Sequence, residues 1–206
     1  NQNGLLDQAK EAIDEAVVHE KTMIDAKTWL YRGMIYYNIS SSQIPAYKEL
    51  DPNAAEIAYE SLIKAKELDE KGRYKDDIKK NLDNLAPVFF NKGGINYNAG
   101  EYNEAIDDYA IAYDIAQQND RLDTLSAYNL GIACVFAEKP EMAIKYLSKC
   151  VEVDFSEPRI YVFYNRALKQ MGDTVAALEI IKEGRIKYPG EYGLLLEQGQ
   201  TYLEIG

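Results

Sequence analysis

The chain has 206 residues, 47% apolar and 28% charged, with a net charge of −11 and a pI near 4.7. That composition supports a folded chain, and the acidic balance argues against nucleic acid or anionic membrane as partners, since both are polyanions. No run of about 18 apolar residues is present, so no membrane-inserted helix is expected.

Asn1 to Lys27 reads as the second helix of an incomplete helix pair, with Ala9, Ile13 and Ala16 on its stripe. His19, the single histidine, follows Val18 in a polar stretch. It has no second imidazole or thiol with which to share a metal, which makes it a surface residue. Ala26 to Ser40 forms the next helix, in which Trp29, Gly33 and Tyr36 recur at helical spacing. Residues 40–52 are polar and turn-rich and read as an insertion. Such a loop is often functional, though a tolerated insertion is the plainer expectation. Asp51 or Asn53 is placed to cap the helix that follows, Asn53 to Asp69, with Ala58, Leu62 and Ala65 on its stripe. Residues 71–85 carry Asp76, Asp77, Lys79 and Lys80 around Ile78 and prolong the next helix back to about Tyr74. Pro87 either kinks that helix or opens a new one, and a kinked continuous helix is expected.

Ala86 to Gln117 reads as two helices joined at Asn98-Ala99-Gly100, with Gly100 suited to the left-handed position that ends the first. Gly93 and Ala105 are small where the helices approach, while Phe89 and Tyr109 are large where the gap widens; Ala112 continues the stripe. Four extra residues, Asn119-Asp120-Arg121-Leu122, precede a pair in which Gly131, Ala143, Leu147 and Cys150 repeat the spacing. Tyr161, Ala177, Ile181 and Pro189 repeat it again behind Pro158, and Leu195, Gly199 and Tyr202 begin it once more. The last helix, Glu191 to Ile205, carries Leu194, Leu195, Leu196, Tyr202, Leu203 and Ile205, more apolar surface than one neighbouring hairpin can cover.

With Ala86 as position 1, position 8 falls at residues 33, 93, 131, 165 and 199, and the last two steps are 34 residues each. This phasing resembles the tetratricopeptide repeat, a 34-residue helix–turn–helix unit with the pattern W-x2-L-G-x2-Y, then A-x3-F, then P. The resemblance implies an all-α, right-handed superhelical solenoid of antiparallel helix pairs, about ten helices in a single domain over 1–206. Its parts are a partial repeat at 4–25, repeats at 26–70 (with insertion 40–52), 86–119, 124–157 and 158–191, and a partial repeat at 192–206. Asn165 stands where a glycine is due, Gly184 takes the third small position, and only Pro189 supplies the closing proline.

No P-loop, G-x-G-x-x-G, H-E-x-x-H, C-x-x-C or G-x-S-x-G is present, so no enzyme, metal or cofactor is expected. Cys134 and Cys150 share one hairpin but fall roughly 10 Å apart along its axis at 1.5 Å per residue. They therefore read as small buried hydrophobes rather than a disulfide. The 34 acidic residues read as solvated faces.

In proteins of this kind the first helices line a concave groove. Carried over, the wall holds Leu30, Met34, Tyr37 and Asn38, then Phe90, Asn91, Tyr97 and Asn98. Tyr128, Asn129, Ile132 and Phe136 follow, then Arg159, Val162, Arg166 and Lys169. Some members clamp a peptide carboxylate with lysines and asparagines; Asn91 and Asn129 fit that loosely, whereas Leu30 and Met34 do not. Arg159, Arg166 and Lys169 share one helix face, and arginine forks suit carboxylates. An extended acidic segment, or the C-terminal carboxylate of a partner, would dock there, its apolar side groups on Tyr97, Tyr128 and Phe136. The competing reading pairs these cations with the protein's own carboxylates and packs the aromatics between helices.

The resemblance implies a non-enzymatic scaffold holding a protein or peptide. The alternative is structural: self-assembly into a homo-oligomer through uncapped ends, or service as the recruiting segment of a larger protein. The start at Asn1 without methionine fits a removed signal peptide or a shortened chain, and similar Gram-negative repeat proteins carry secretion signals. The expected location is the periplasm or cell envelope, with the cytoplasm as the alternative.

Overall fold

The structure, a computed structural model, describes residues 5–118 and 121–205, with only the backbone of Ile205. Gly4, Asn119, Asp120 and Gly206, to which the sequence assigns turn or spacer positions, lie outside the described residues. Eleven helices and no strand occur among the described residues. They are α1 (Leu5–Ala16), α2 (Ala26–Ser40), α3 (Pro45–Lys48), α4 (Ala54–Leu68), α5 (Lys75–Ala99) and α6 (Tyr102–Gln118), then α7 (Thr124–Phe136), α8 (Pro140–Glu152), α9 (Arg159–Gln170), α10 (Thr174–Lys187) and α11 (Tyr192–Ile205). They pack as two compact units, Asn1–Phe89 and Phe90–Gly206, with α5 contributing to both.

In the first unit α2 packs against both α1 and α4. Gly33 is required by close approach: a Cβ there would lie 2.6 Å from Leu62 Cγ. The insertion is not all loop. Pro45 opens the short α3, which buries Tyr47, and this raises the helix count above the expected ten. The expected cap on α4 is corrected. Asp51 accepts from the Asn53 backbone N–H, tightening the turn before the helix, and the Asn53 amide does not cap it. α5 begins at Lys75 and continues through Pro87 as one helix. Phe89 is fully buried, with its ring edge-on to Tyr59 at 5.9 Å.

A polar staple joins α1, α2 and α4. The Asp14 carboxylate accepts from Tyr36 Oη at 2.7 and 2.9 Å, from Arg32 Nε at 3.1 Å and from Lys10 Nζ at 3.1 Å. Arg32 Nη1 continues to Ser61 Oγ on α4 at 3.1 Å. Burial pushes the Asp14 carboxyl up, but the donors of Tyr36, Lys10 and Arg32 outweigh it and hold it below its ordinary 3.8. The stabilisation from this carboxylate is therefore complete above that value and is lost as pH falls through the lower folded value. Asp14→Asn should weaken the first unit near neutral pH and flatten its loss of stability below about pH 4. Chemical denaturation across pH 2–7 checks this; parallel curves for variant and natural protein would refute it.

In the second unit, residues 90–99 of α5 meet α6 where Phe90 and Gly93 face Tyr109, and helices α6 to α11 follow one another as packed neighbours. Gly100, at φ +81°, ends α5 as expected. Added Cβ atoms at Gly93 and Gly131 would meet the Tyr109 ring at 2.9 Å and Leu147 Cγ at 2.6 Å. In the next pair the device changes. Asn165 is fully buried and its amide donates to Ala177 O at 2.7 Å and Thr201 Oγ1 at 3.1 Å. A hydrogen-bonded amide fills the space a glycine would leave, and close approach moves to Gly184, where a Cβ would lie 2.5 Å from Tyr161 Cγ. Pro158 sits one residue before α9 rather than at its first position. Cys134 and Cys150 are buried free thiols whose pKa values burial raises to about 11. His19 is exposed.

Candidate interaction surface

Tyr37, the candidate in the first unit, lines a cavity of about 340 Å³ with Tyr31 and Asn38 of α2, Tyr74 from the turn before α5, and Lys80 and Asn84 of α5. The extended start of α5 supplies that second wall. Leu30, expected on the wall, is largely buried beneath it.

The other candidates lie in the second unit. There α7 touches α9, and α9 touches α11, so the first helices form a row. Aromatic rings run along it. Phe90 is half-buried, edge-on to Tyr109 at 5.6 Å. Tyr97 meets Phe136 at 5.7 Å and Tyr102 at 5.6 Å. Phe136 stacks on Tyr102 at 5.2 Å and reaches Phe163 at 6.1 Å, yet remains 41% exposed. The repeat phasing did not single out Tyr102 or Phe163. Phe163 was findable, since it holds the same repeat position as Asn91 and Asn129.

Asn91 is exposed and Asn129 half-buried. Tyr128, expected as a platform, is instead only 5% exposed, because position 5 of that helix turns into the core against Phe155. Burial pushes its phenol up to about 12, and its hydroxyl finds no hydrogen-bond partner among the described residues.

The basic part is neutralised from within. Arg166 donates to Glu197 Oε2 from Nε at 3.0 Å and Nη2 at 2.8 Å, and its guanidinium lies 5.7 Å from the Phe163 ring centre. Lys169 Nζ lies 3.2 Å from Glu197 and 3.2 Å from Glu204. Arg159 pairs with Glu157 at 3.2 Å. Glu197 is 3% exposed, so its charge is held by these cations rather than by water. The three cations face carboxylates of their own protein, as the competing reading has it.

Among the described residues no helix is long and apolar enough to cross a membrane. No family model and no curated protein matches the sequence. Solved structures do. A chain of the APC/C hetero-tetramer Cut9–Hcn1 is 14% identical over 97% of this chain and 46% of that one, with a TM-score of 0.52. YrrB, described as a TPR protein with an unusual peptide-binding site, is 22% identical over 95% of this chain and 84% of its own, at 0.48. PilF of Pseudomonas aeruginosa is 19% identical over 98% and 91%, at 0.39. The chain has an all-α fold of the tetratricopeptide-repeat type.

Proposed function

We propose that this tetratricopeptide-repeat fold is a non-enzymatic scaffold that holds an extended segment of a partner protein along the ring row of its second unit. The observation that carries it is Phe136. It is ringed by Tyr97, Tyr102 and Phe163, yet keeps 41% of its surface in water. Rings with large apolar area and few rotatable bonds suit recognition, because little conformational entropy is lost when they are covered. The amides of Asn91 and Asn129, beside the rings, suit the polar main chain of such a segment. The partner of Cut9 within a hetero-tetramer is consistent with a holding role for the fold.

The internal ion pairs favour a segment less acidic than the one expected from sequence. Arg166 and Lys169 are engaged by Glu197 and Glu204, and Arg159 already meets Glu157. The segment is therefore apolar, with at most one carboxylate addressed to Arg159. Affinity capture from the native host with Phe136→Ala should recover markedly less of the partner, on the order of tenfold for loss of one central aromatic. Far-ultraviolet circular dichroism should be unchanged, since Phe136 is exposed. Equal recovery by variant and natural protein would remove the ring row as the binding surface.

A further inference from the structure

The cavity between α2 and the start of α5 lies wholly within the first unit and shares no residue with the ring row. Its walls follow from helical spacing. Lys27, Tyr31, Met34 and Asn38 recur at three- and four-residue steps along α2, and Asp77, Lys80 and Asn84 do so along α5. Tyr37 and Tyr74 complete a set of three phenols with Tyr31, and Asn81 completes a set of three amides with Asn38 and Asn84. The apolar part of the lining is small, Leu30 and Met34.

The charges in this cavity are not matched as they are in the second unit. There Arg166 and Lys169 meet Glu197. Here, among the described residues, Lys27, Lys80 and Asp77 make no ion pair, although Asp77 and Lys80 stand three residues apart on one face. Lys27 Nζ lies 5.4 Å from the Tyr31 ring centre, a cation–π contact that keeps the ammonium beside that phenol. Two lysines less one aspartate leave the cavity with a charge of +1, in a chain that carries −11.

These features select a ligand. A volume of about 340 Å³ is at the lower end of the size of small-molecule pockets, so the occupant is compact. A long alkyl chain would leave three amides and three phenols without partners, which is costly once they are covered. Hydroxyl groups suit this lining, because each donates and accepts at one atom and so meets either end of an amide, a phenol or the Asp77 carboxylate. A hydroxylated ring offers several of them at close spacing, together with C–H faces that rest on the apolar bodies of tyrosines. One carboxylate balances the charge of +1. A phosphate, close to −2 at neutral pH, would bring surplus negative charge to Asp77.

We propose that this cavity binds a sugar acid, a polyhydroxylated ring that carries a single carboxylate. The carboxylate is taken by Lys27 and Lys80, and the hydroxyls by Asn38, Asn84 and Asp77.

Isothermal titration calorimetry of the 206-residue protein tests this, with D-glucuronate, D-galacturonate, D-glucose, D-glucose 6-phosphate and acetate as probes. At least one uronate should bind, with glucose and acetate each weaker by about tenfold or more, since glucose lacks the acid and acetate lacks the ring. Lys80→Gln should bring that uronate down to the level of glucose, whereas Asn84→Ala should weaken the uronate and glucose alike. Both residues are exposed, so circular dichroism and the unfolding midpoint of each variant should match those of the natural protein. Failure of both uronates to bind overturns the proposal, and so does a uronate that binds Lys80→Gln as tightly as the natural protein. Tighter binding of glucose 6-phosphate would make the cavity a phosphate site and overturns it too. So does tighter binding of an N-acetylated tripeptide with a free C-terminal carboxylate, which would make the cavity a peptide seat.

Discussion

Gly131→Leu should lower the stability of the second unit by about 1–3 kcal/mol, the usual cost of inserting bulk into a packed core. The reason is local. The first added carbon would already lie 2.6 Å from Leu147 Cγ and 2.7 Å from Leu147 Cδ2, inside any van der Waals contact. Leu147 is fully buried, so it cannot swing into solvent, and α7 and α8 must separate. Separation then loosens Ala143 and Cys150, which are fully buried in the same cluster. Thermal unfolding should show a midpoint several degrees lower. Gly199→Leu is the matched control, the same change at the same repeat position where nothing lies within 4 Å. Equal midpoints for Gly131→Leu and the natural protein would mean that these two helices are not paired through residues 131 and 147.

The second large effect is electrostatic. Arg166→Glu should cost about 1–3 kcal/mol, the range for a charge-assisted hydrogen bond lost with its partner left behind. Glu197 is almost fully buried and takes two bonds from Arg166; with the substitution it would face a like charge and keep only Lys169. The figure stays at the lower end for a buried pair because the Arg166 side chain is 43% exposed and water screens part of the interaction. Adding Glu197→Arg to Arg166→Glu restores opposite charges and should recover part of the loss. A double-mutant cycle in urea measures the coupling; additive single effects would show that the pair contributes nothing. This also bears on function, because Arg166→Glu loosens α9 from α11. Lost binding in that variant would not report on the groove, and Phe136→Ala is the cleaner probe.

The repeat architecture was legible in the sequence because its signal is short-range. Gly93 and Gly131 each sit 16 residues before Tyr109 and Leu147, and two helices joined by a short turn can meet only in that register; Gly33 meets Leu62 in the same way across the longer connection that carries α3. The same logic anticipated the continuous α5 from its charged extension and the exposed apolar stripe on α11. It misjudged single positions where one residue substitutes for another device. Asn165 occupies a glycine site through a hydrogen bond to Thr201, 36 residues away, which no local pattern signals.

What the sequence by itself determined is therefore which residues face which within a helix pair, since spacing along the backbone sets the phase of both helices. Only the tertiary structure decided how neighbouring pairs address one another. It joined Arg166 and Lys169 to Glu197 across 31 and 28 residues, turned Tyr128 inward and left Phe136 outward. These outcomes depend on crossing angles and on the depth at which helices nest. Both are set by the summed packing of many residues, and the composition of any one stretch does not encode them.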